Sequence, residues 1–108
     1  MAKAETQISD SIREFLESKG FKVFRMQSGR FRGAGGWVTM NEKGCPDLIC
    51  LAPGGRLVAI ETKTPEGHAS KEQIKFKDEI NAMGGFAMIA HSLGEVVQAL
   101  DITSLVEQ

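Results

Sequence analysis

The sequence predicts one α/β domain in which helices flank a mixed central β-sheet. Three observations carry this prediction: an amphipathic helical stripe opens the chain, short apolar runs with strand character fill its middle, and a capped helix precedes a last apolar run. The chain has 108 residues, and neither a repeat nor a linker-like segment divides residues 1–108. The predicted order of elements is α-β-β-β-β-α-β-α.

The first predicted helix covers residues 5–19 and ends at Gly20, which suits a left-handed cap. Its apolar stripe consists of Ile8, Ile12, Phe15 and Leu16. A strand is predicted over residues 21–26. Residues 27–36 contain too much glycine for regular structure and are predicted to form a mobile loop. A short strand at residues 37–40 then leads through a turn into a hairpin.

The predicted hairpin consists of the apolar runs 48–52 and 56–60, separated by Pro53-Gly54-Gly55. A three-residue loop centres the antiparallel pairing on its middle residue. Asp47 then stands opposite Glu61 on one face of the sheet, with Cβ atoms roughly 5 Å apart.

A capping box at Ser70-Lys71-Glu72-Gln73 predicts a second helix that runs to about Met83. Its predicted inner face consists of Ile74, Lys77, Ile80 and Met83. Residues 86–90 form a continuous apolar run, which predicts a strand that is buried on both faces. A second capping box at Ser92-Leu93-Gly94-Glu95 predicts the last helix.

The charge distribution is uneven along the chain. A net charge of −1 argues against a protein that coats nucleic acid by bulk electrostatics. Between residues 22 and 43, however, Glu42 is the only acid. The basic residues of this stretch are Lys22, Arg25, Arg30, Arg32 and Lys43. They fit a local basic rim that faces phosphate, and they fit a solvated loop equally well.

Several classes of function are disfavoured. No apolar run approaches a membrane span and the N-terminal residues lack the apolar core of a signal peptide, so no membrane association is expected. Cys45 and Cys50 have no zinc-binding spacing and are predicted to be buried reduced thiols, which favours a cytoplasmic location. His68 and His91 lack recognisable metal-binding partners. The glycine-rich stretch lacks nucleotide-binding spacing, so no nucleotide cofactor is expected.

A catalytic site is indicated by two short motifs, Pro46-Asp47 and Glu61-Thr62-Lys63. Glu61 and Lys63 are two residues apart and share a strand face, so two carboxylates and an ammonium converge at one end of the hairpin. Close carboxylates repel each other, and partial burial adds to the cost. Oxygen ligands favour Mg²⁺, for which Mn²⁺ should substitute, and such a site suits phosphodiester hydrolysis. Glu17-Ser18-Lys19 has the same spacing but no paired aspartate.

These motifs resemble the PD-(D/E)xK nuclease superfamily and, within it, the VRR-NUC family of virus-type replication-repair nucleases. The resemblance extends from about residue 5 to residue 90 and implies a restriction-endonuclease-like fold. The residues that carry it are Glu5, Arg25-x-x-Ser28-Gly29, Gly44-x-Pro46-Asp47-Leu48-Ile49, Ile60-Glu61-x-Lys63, and Ser70-x-x-Gln73 with Phe76. Short stand-alone members that resemble this chain are typical of bacteriophages and prophages, which implies a phage- or prophage-encoded protein in a bacterial host.

The resemblance implies a role for each motif residue. The implied metal ligands are Asp47, Glu61, the main-chain carbonyl of Thr62 and, as an outer acid, Glu5. Lys63 would orient or deprotonate the attacking water, and Gln73 would support the site from the second helix. Glu5 is explained equally well as a partner of the helix dipole, and Gln73 as a capping residue. The candidate DNA contacts are Arg25, Ser28, Arg30, Arg32 and Lys43.

The function implied by the resemblance is a Mg²⁺-dependent, structure-specific DNA endonuclease. It would cut branched DNA as a homodimer, in the manner of Holliday junction resolvases. One alternative is a single-strand or flap-directed nuclease with the same site. Another is a catalytically silent DNA-binding module, against which the intact Asp47, Glu61 and Lys63 argue.

Overall fold

The computed structural model describes residues 3–26, 29–33, 36–40 and 43–100, with side chains for residues 4–26 and 43–100. Its elements are α1 (Lys3–Ser18), β1 (Lys22–Arg25), β2 (Gly29–Gly33), β3 (Gly36–Met40), β4 (Leu48–Leu51), β5 (Leu57–Thr62), α2 (Lys71–Ala82), β6 (Phe86–Ala90) and α3 (Leu93–Leu100). This is the predicted order with one additional strand, β2. No helix in the described ranges is long and apolar enough to cross a membrane.

The main sheet has four strands in the order β1-β4-β5-β6. β4 pairs antiparallel with both β1 and β5, whereas β6 pairs parallel with β5 through the crossover that contains α2. The predicted mixed sheet is therefore confirmed. Because β5 and β6 are parallel, their carboxyl ends meet at one edge of the sheet.

The β4–β5 hairpin has the predicted register. Leu48 pairs with Ile60, and Leu51 pairs with Leu57. The turn is closed by the Gly55 amide, which donates to the Ala52 carbonyl at 2.8 Å. β5 continues two residues beyond its predicted end, so Glu61 and Thr62 belong to the strand.

The hydrophobic core lies under α1 and α3 on one side of the main sheet. The amphipathic stripe of α1 is confirmed, since Ile12 and Leu16 are fully buried while Ile8 and Phe15 pack against the core from its margin. The other core residues are Phe21, Val23, Leu48, Cys50, Ala52, Val58, Ile60, Ala90, Val96 and Leu100. Cys50 is buried as predicted, but Cys45 is only half-buried, and both are thiols rather than disulfides. Burial raises the pKa of Cys50 to about 12.

The loop predicted over residues 27–36 is wrong for its central part, which forms strand β2. β2 and β3 make a separate antiparallel pair with a register that runs from Gly29 opposite Met40 to Gly33 opposite Gly36. A glycine in a strand costs roughly 0.5–1 kcal/mol, and this local penalty is outweighed when pairing continues over five residues. Residues 27–28 and 34–35 of that prediction lie outside the described residues.

The second helix begins at its predicted capping box. The Gln73 amide donates to Ser70 Oγ at 3.1 Å, and the Ser70 amide donates to Gln73 Oε1 at 2.8 Å. Its predicted inner face is partly wrong, because Ile74 is 43% exposed and Met83 is 88% exposed. α2 packs against β5 and β6, and its half-buried stripe is displaced by about one residue, to Glu72, Gln73, Phe76, Lys77 and Ile80.

The last strand is less buried than its apolar run predicted. β6 is an edge strand, and only Ala87 and Ala90 within it are buried. The second capping box is present in altered form. Ser92 Oγ accepts from the Glu95 amide at 3.2 Å, but the Glu95 carboxylate reaches back to the His91 amide at 2.8 Å.

Candidate active site

Asp47 is held at the end of the β4–β5 hairpin by backbone hydrogen bonds. Its carbonyl accepts from the Met26 amide at 2.7 Å, which ties it to the end of β1. Its Oδ1 accepts from the Thr62 amide at 2.8 Å, which ties the carboxylate to β5. The side chain is therefore fixed beside the last residues of β5, as the predicted register requires.

Glu61 and Lys63 complete the group from β5. Lys63 Nζ lies 3.7 Å from Glu61 Oε2, and both side chains are largely buried. The Lys63 amide donates to the Ala90 carbonyl at 2.9 Å, so pairing with β6 continues past the strand end. The structure thus brings together the two carboxylates and the ammonium that the sequence predicts.

The positive charge of Lys63 only partly balances the negative charges of the carboxylates at the site. Burial raises the pKa of Glu61 to about 7, and the nearby charges of Asp47 and Glu5 add to this while Lys63 opposes it. Burial also raises the pKa of Asp47, although the hydrogen bond from the Thr62 amide opposes the shift. A cation at this place would remove the electrostatic cost of both carboxylates.

The oxygen atoms of the site fit a hard divalent cation. Asp47 is 6% exposed and Glu61 is 8% exposed. Asp47 Oδ2 is buried and has no hydrogen-bond partner in the part of the chain that the structure describes. Within those same ranges, no three His, Cys, Asp or Glu side chains gather closely enough to hold a metal. The available donors are therefore two carboxylates, and the main-chain carbonyl of Thr62 stays a predicted third ligand.

Glu5 and Gln73 lie differently with respect to this group. Glu5 is half-buried in the first turn of α1, and its charge raises the pKa of Glu61, so it lies near the site. Gln73 uses its side-chain oxygen to cap α2, and no described hydrogen bond joins it to the carboxylates. Its support of the site stays a prediction.

The candidate DNA contacts are only partly described. Arg25 forms an ion pair with Asp10 on α1. Lys43 is exposed, and its Nζ lies 3.5 Å from Glu72 Oε1. Arg30 and Arg32 lie on β2, where the backbone alone is described, and Ser28 lies outside the described residues. The DNA-binding role of all five stays a prediction.

Ser9 is a site residue that sequence reasoning missed. It is fully buried in α1, and its Oγ accepts from Arg25 Nη2 at 3.3 Å. Its hydroxyl lies near Asp47 and opposes the rise that burial causes in the pKa of that carboxyl. Ser11 on the same helix donates instead to the Ile8 carbonyl. The available signal was its position, since Ser9 lies three and seven residues before Ile12 and Leu16 and so falls on the buried stripe.

Gly44, in the turn that leads to Pro46 and Asp47, packs tightly against α2. Its φ is +88°, and an added Cβ would lie 2.5 Å from the Glu72 carbonyl oxygen. We expect Gly44→Ala to lower the free energy of unfolding by about 3 kcal/mol, because left-handed backbone strain and overpacking add together. Urea denaturation followed by circular dichroism measures this value.

Gly55→Ala is the matched control for this prediction. Gly55 has a similar φ of +95°, but nothing lies within 4 Å of an added Cβ. This variant should lose only about 1 kcal/mol, from backbone strain alone. Equal losses in the two variants would show that the turn is not packed against α2 as described.

The comparisons with known proteins support the fold. No protein-family model and no curated protein matches the sequence. Among solved structures, the chain is similar to one described as a VRR_NUC domain, with a TM-score of 0.70 and 19% sequence identity. The match covers 93% of this chain and 97% of that chain. The fold implied by the resemblance is therefore confirmed: this chain has the fold of a VRR_NUC domain.

Proposed function

We propose that this protein is a metal-dependent deoxyribonuclease of the VRR-NUC family, which hydrolyses phosphodiester bonds in DNA. The observation that carries the proposal is the buried group of Asp47, Glu61 and Lys63 at the carboxyl end of β5. The fold shared with a VRR_NUC domain is independent support. A buried carboxylate pair with elevated pKa values is costly, and such pairs are commonly retained for chemistry.

Mg²⁺ is the proposed cofactor, and Mn²⁺ would substitute for it. Asp47 and Glu61 would bind the ion together with the main-chain carbonyl of Thr62, while Glu5 would act as an outer acid. The buried Asp47 Oδ2, which lacks a hydrogen-bond partner among the described residues, supports this set of ligands. When bound, the ion would supply Lewis-acid stabilisation of charge on the phosphate oxygens.

Lys63 is the proposed catalytic base or water-orienting group. Its ammonium lies beside Glu61, where it is partly shielded from solvent. In that place it can orient the attacking water and offset negative charge that develops on the phosphate. Gln73 would support this arrangement from the first turn of α2.

Branched DNA is the proposed substrate class, and a homodimer is the proposed assembly. A chain of 108 residues with a net charge of −1 offers little surface for base readout or bulk phosphate binding. Recognition of DNA shape is therefore favoured over recognition of sequence. Arg30 and Arg32, whose backbone lies on the two-stranded β2–β3 sheet, are among the proposed DNA contacts. A two-fold dimer would present two sites to paired strands.

A cleavage panel tests the proposal directly. Labelled four-way junction, flap, single strand and plain duplex are each incubated with the protein in Mg²⁺, in Mn²⁺ or in excess chelator. We expect the junction to be cut fastest with either metal and none of the DNAs to be cut in chelator. Cleavage at an unchanged rate in chelator would contradict the metal site. Faster cleavage of the flap or single strand would replace the assignment of four-way junctions as substrate. Binding of DNA without cleavage would support a catalytically silent module.

A further inference from the structure

His91 lies next to the candidate active site although sequence reasoning gave it no role. It follows the last residue of β6, and β6 runs parallel to β5 with Ala90 paired to Thr62. The Lys63 amide donates to the Ala90 carbonyl, one residue before His91. His91 is therefore at the sheet edge where the site is formed.

The His91 side chain joins two segments of the chain. Its Nε2 lies 3.1 Å from the Gly67 carbonyl oxygen, and its Nδ1 lies 3.2 Å from Glu95 Oε1. A carbonyl oxygen can only accept a hydrogen bond, so Nε2 must carry the hydrogen in this contact. Glu95 is itself held by the His91 amide and by the Ser92 cap, so the ring is anchored to the start of α3.

Gly67 closes the turn that leads away from Lys63. The Gly67 amide donates to the Thr64 carbonyl at 2.9 Å, and a Cβ added at Gly67 would lie 3.0 Å from Thr64 Oγ1. The turn is fixed at its start by the Lys63–Ala90 hydrogen bond and at its end by the Gly67–His91 contact. Loss of the second contact would detach the end of the turn from the residue that follows β6.

We propose that His91 is a positioning residue, whose Nε2–H bond to the Gly67 carbonyl holds the turn 64–67 and thereby keeps the Lys63 ammonium against Glu61. This inference rests on the proposed function, because it assigns His91 to the cleavage reaction. Displacement of a catalytic group by about 1 Å can cost roughly a hundredfold in rate, so a single contact at this turn can matter.

Two substitutions of similar shape distinguish the roles of the two ring nitrogens of His91. In His91→Gln the side-chain amide nitrogen takes the place of Nε2, so the bond to Gly67 is kept. In His91→Asn it takes the place of Nδ1, so the bond to Gly67 is lost. We expect the single-turnover cleavage rate of His91→Gln to stay within about threefold of wild type and that of His91→Asn to fall about tenfold. The Kd for DNA and the Tm should be nearly equal in the two variants.

Hydrogen exchange at the Gly67 amide provides a readout that does not need cleavage. We expect faster exchange in His91→Asn than in wild type or His91→Gln. Equal cleavage rates in the two variants, or equal loss in both, would overturn the proposal. If wild-type protein cuts no DNA, the proposed function fails. Hydrogen exchange then tests only the contact between His91 and Gly67. Unchanged protection of the Gly67 amide in His91→Asn would show that this contact does not hold the turn.

Discussion

Asp47→Asn is expected to reduce phosphodiester cleavage by roughly a thousandfold, because loss of a charged metal ligand removes several kcal/mol of transition-state stabilisation. The substitution keeps an oxygen at the position of Oδ1, which accepts from the Thr62 amide at 2.8 Å. It removes the negative charge and places an amide nitrogen at the buried Oδ2, for which the described ranges supply no hydrogen-bond partner. Cleavage should therefore be lost while the hydrogen bond that ties Asp47 to β5 is kept.

The choice of asparagine matters because Asp47 has a structural task as well. Alanine would leave the buried Thr62 amide without its acceptor, at a cost of about 1–3 kcal/mol. Lost activity in that variant would then not distinguish chemistry from folding. Equal Tm values for Asp47→Asn and wild type, measured in chelator, show that only the chemistry has changed.

Lys63→Met is the companion variant, since it keeps the apolar stem of the lysine and removes the ammonium. Loss of a proton-transfer group typically costs about 10²–10⁴ in rate, and a comparable loss is expected here. Lys77 and Asp78, whose charged groups lie 3.2 Å apart on the surface of α2, supply the controls Lys77→Met and Asp78→Asn. Cleavage by Asp47→Asn at a rate close to these controls would rule out the assigned site.

The hairpin that forms the site could be predicted because several local signals agree. Two apolar runs flank Pro53-Gly54-Gly55, and a three-residue loop between them centres the antiparallel pairing on Gly54. The structure has that register. The sequence therefore suffices to place Asp47 and Glu61 together.

The remaining errors have a common physical cause, which is that tertiary contacts outweigh local preference. The glycines of β2 indicate a loop, yet pairing with β3 makes this segment a strand. Ile74 is apolar and helical in spacing, but it lies outside the stripe by which α2 packs on β5 and β6 and is exposed. The contacts of Ser9 with Arg25 and of His91 with Gly67 span 16 and 24 residues, and no local pattern predicts such pairs.

Glu61→Gln is expected to stabilise the metal-free protein at pH 8 by about 3 kcal/mol, because a carboxyl whose pKa rises from 4.5 to about 7 on folding opposes folding once it is ionised. Between these two pH values the folded state binds more protons at Glu61 than the unfolded state. The contribution of Glu61 to the free energy of unfolding therefore falls as pH rises from about 4.5 to 7. Below pH 4 the carboxyl is neutral in both states, and wild type and variant should be equally stable.

Urea denaturation in chelator from pH 4 to pH 8.5 measures this difference, and comparison with the variant isolates Glu61 from the other carboxylates. Glu95→Gln is the control of opposite sign, because hydrogen bonds from His91 lower the pKa of this exposed group and its ionised form favours folding. Adding Mg²⁺ should stabilise wild type at pH 8 far more than Glu61→Gln. A stability difference between wild type and Glu61→Gln that stays constant with pH would show that Glu61 is not desolvated beside the Asp47 carboxylate. The metal site would then lose its electrostatic basis.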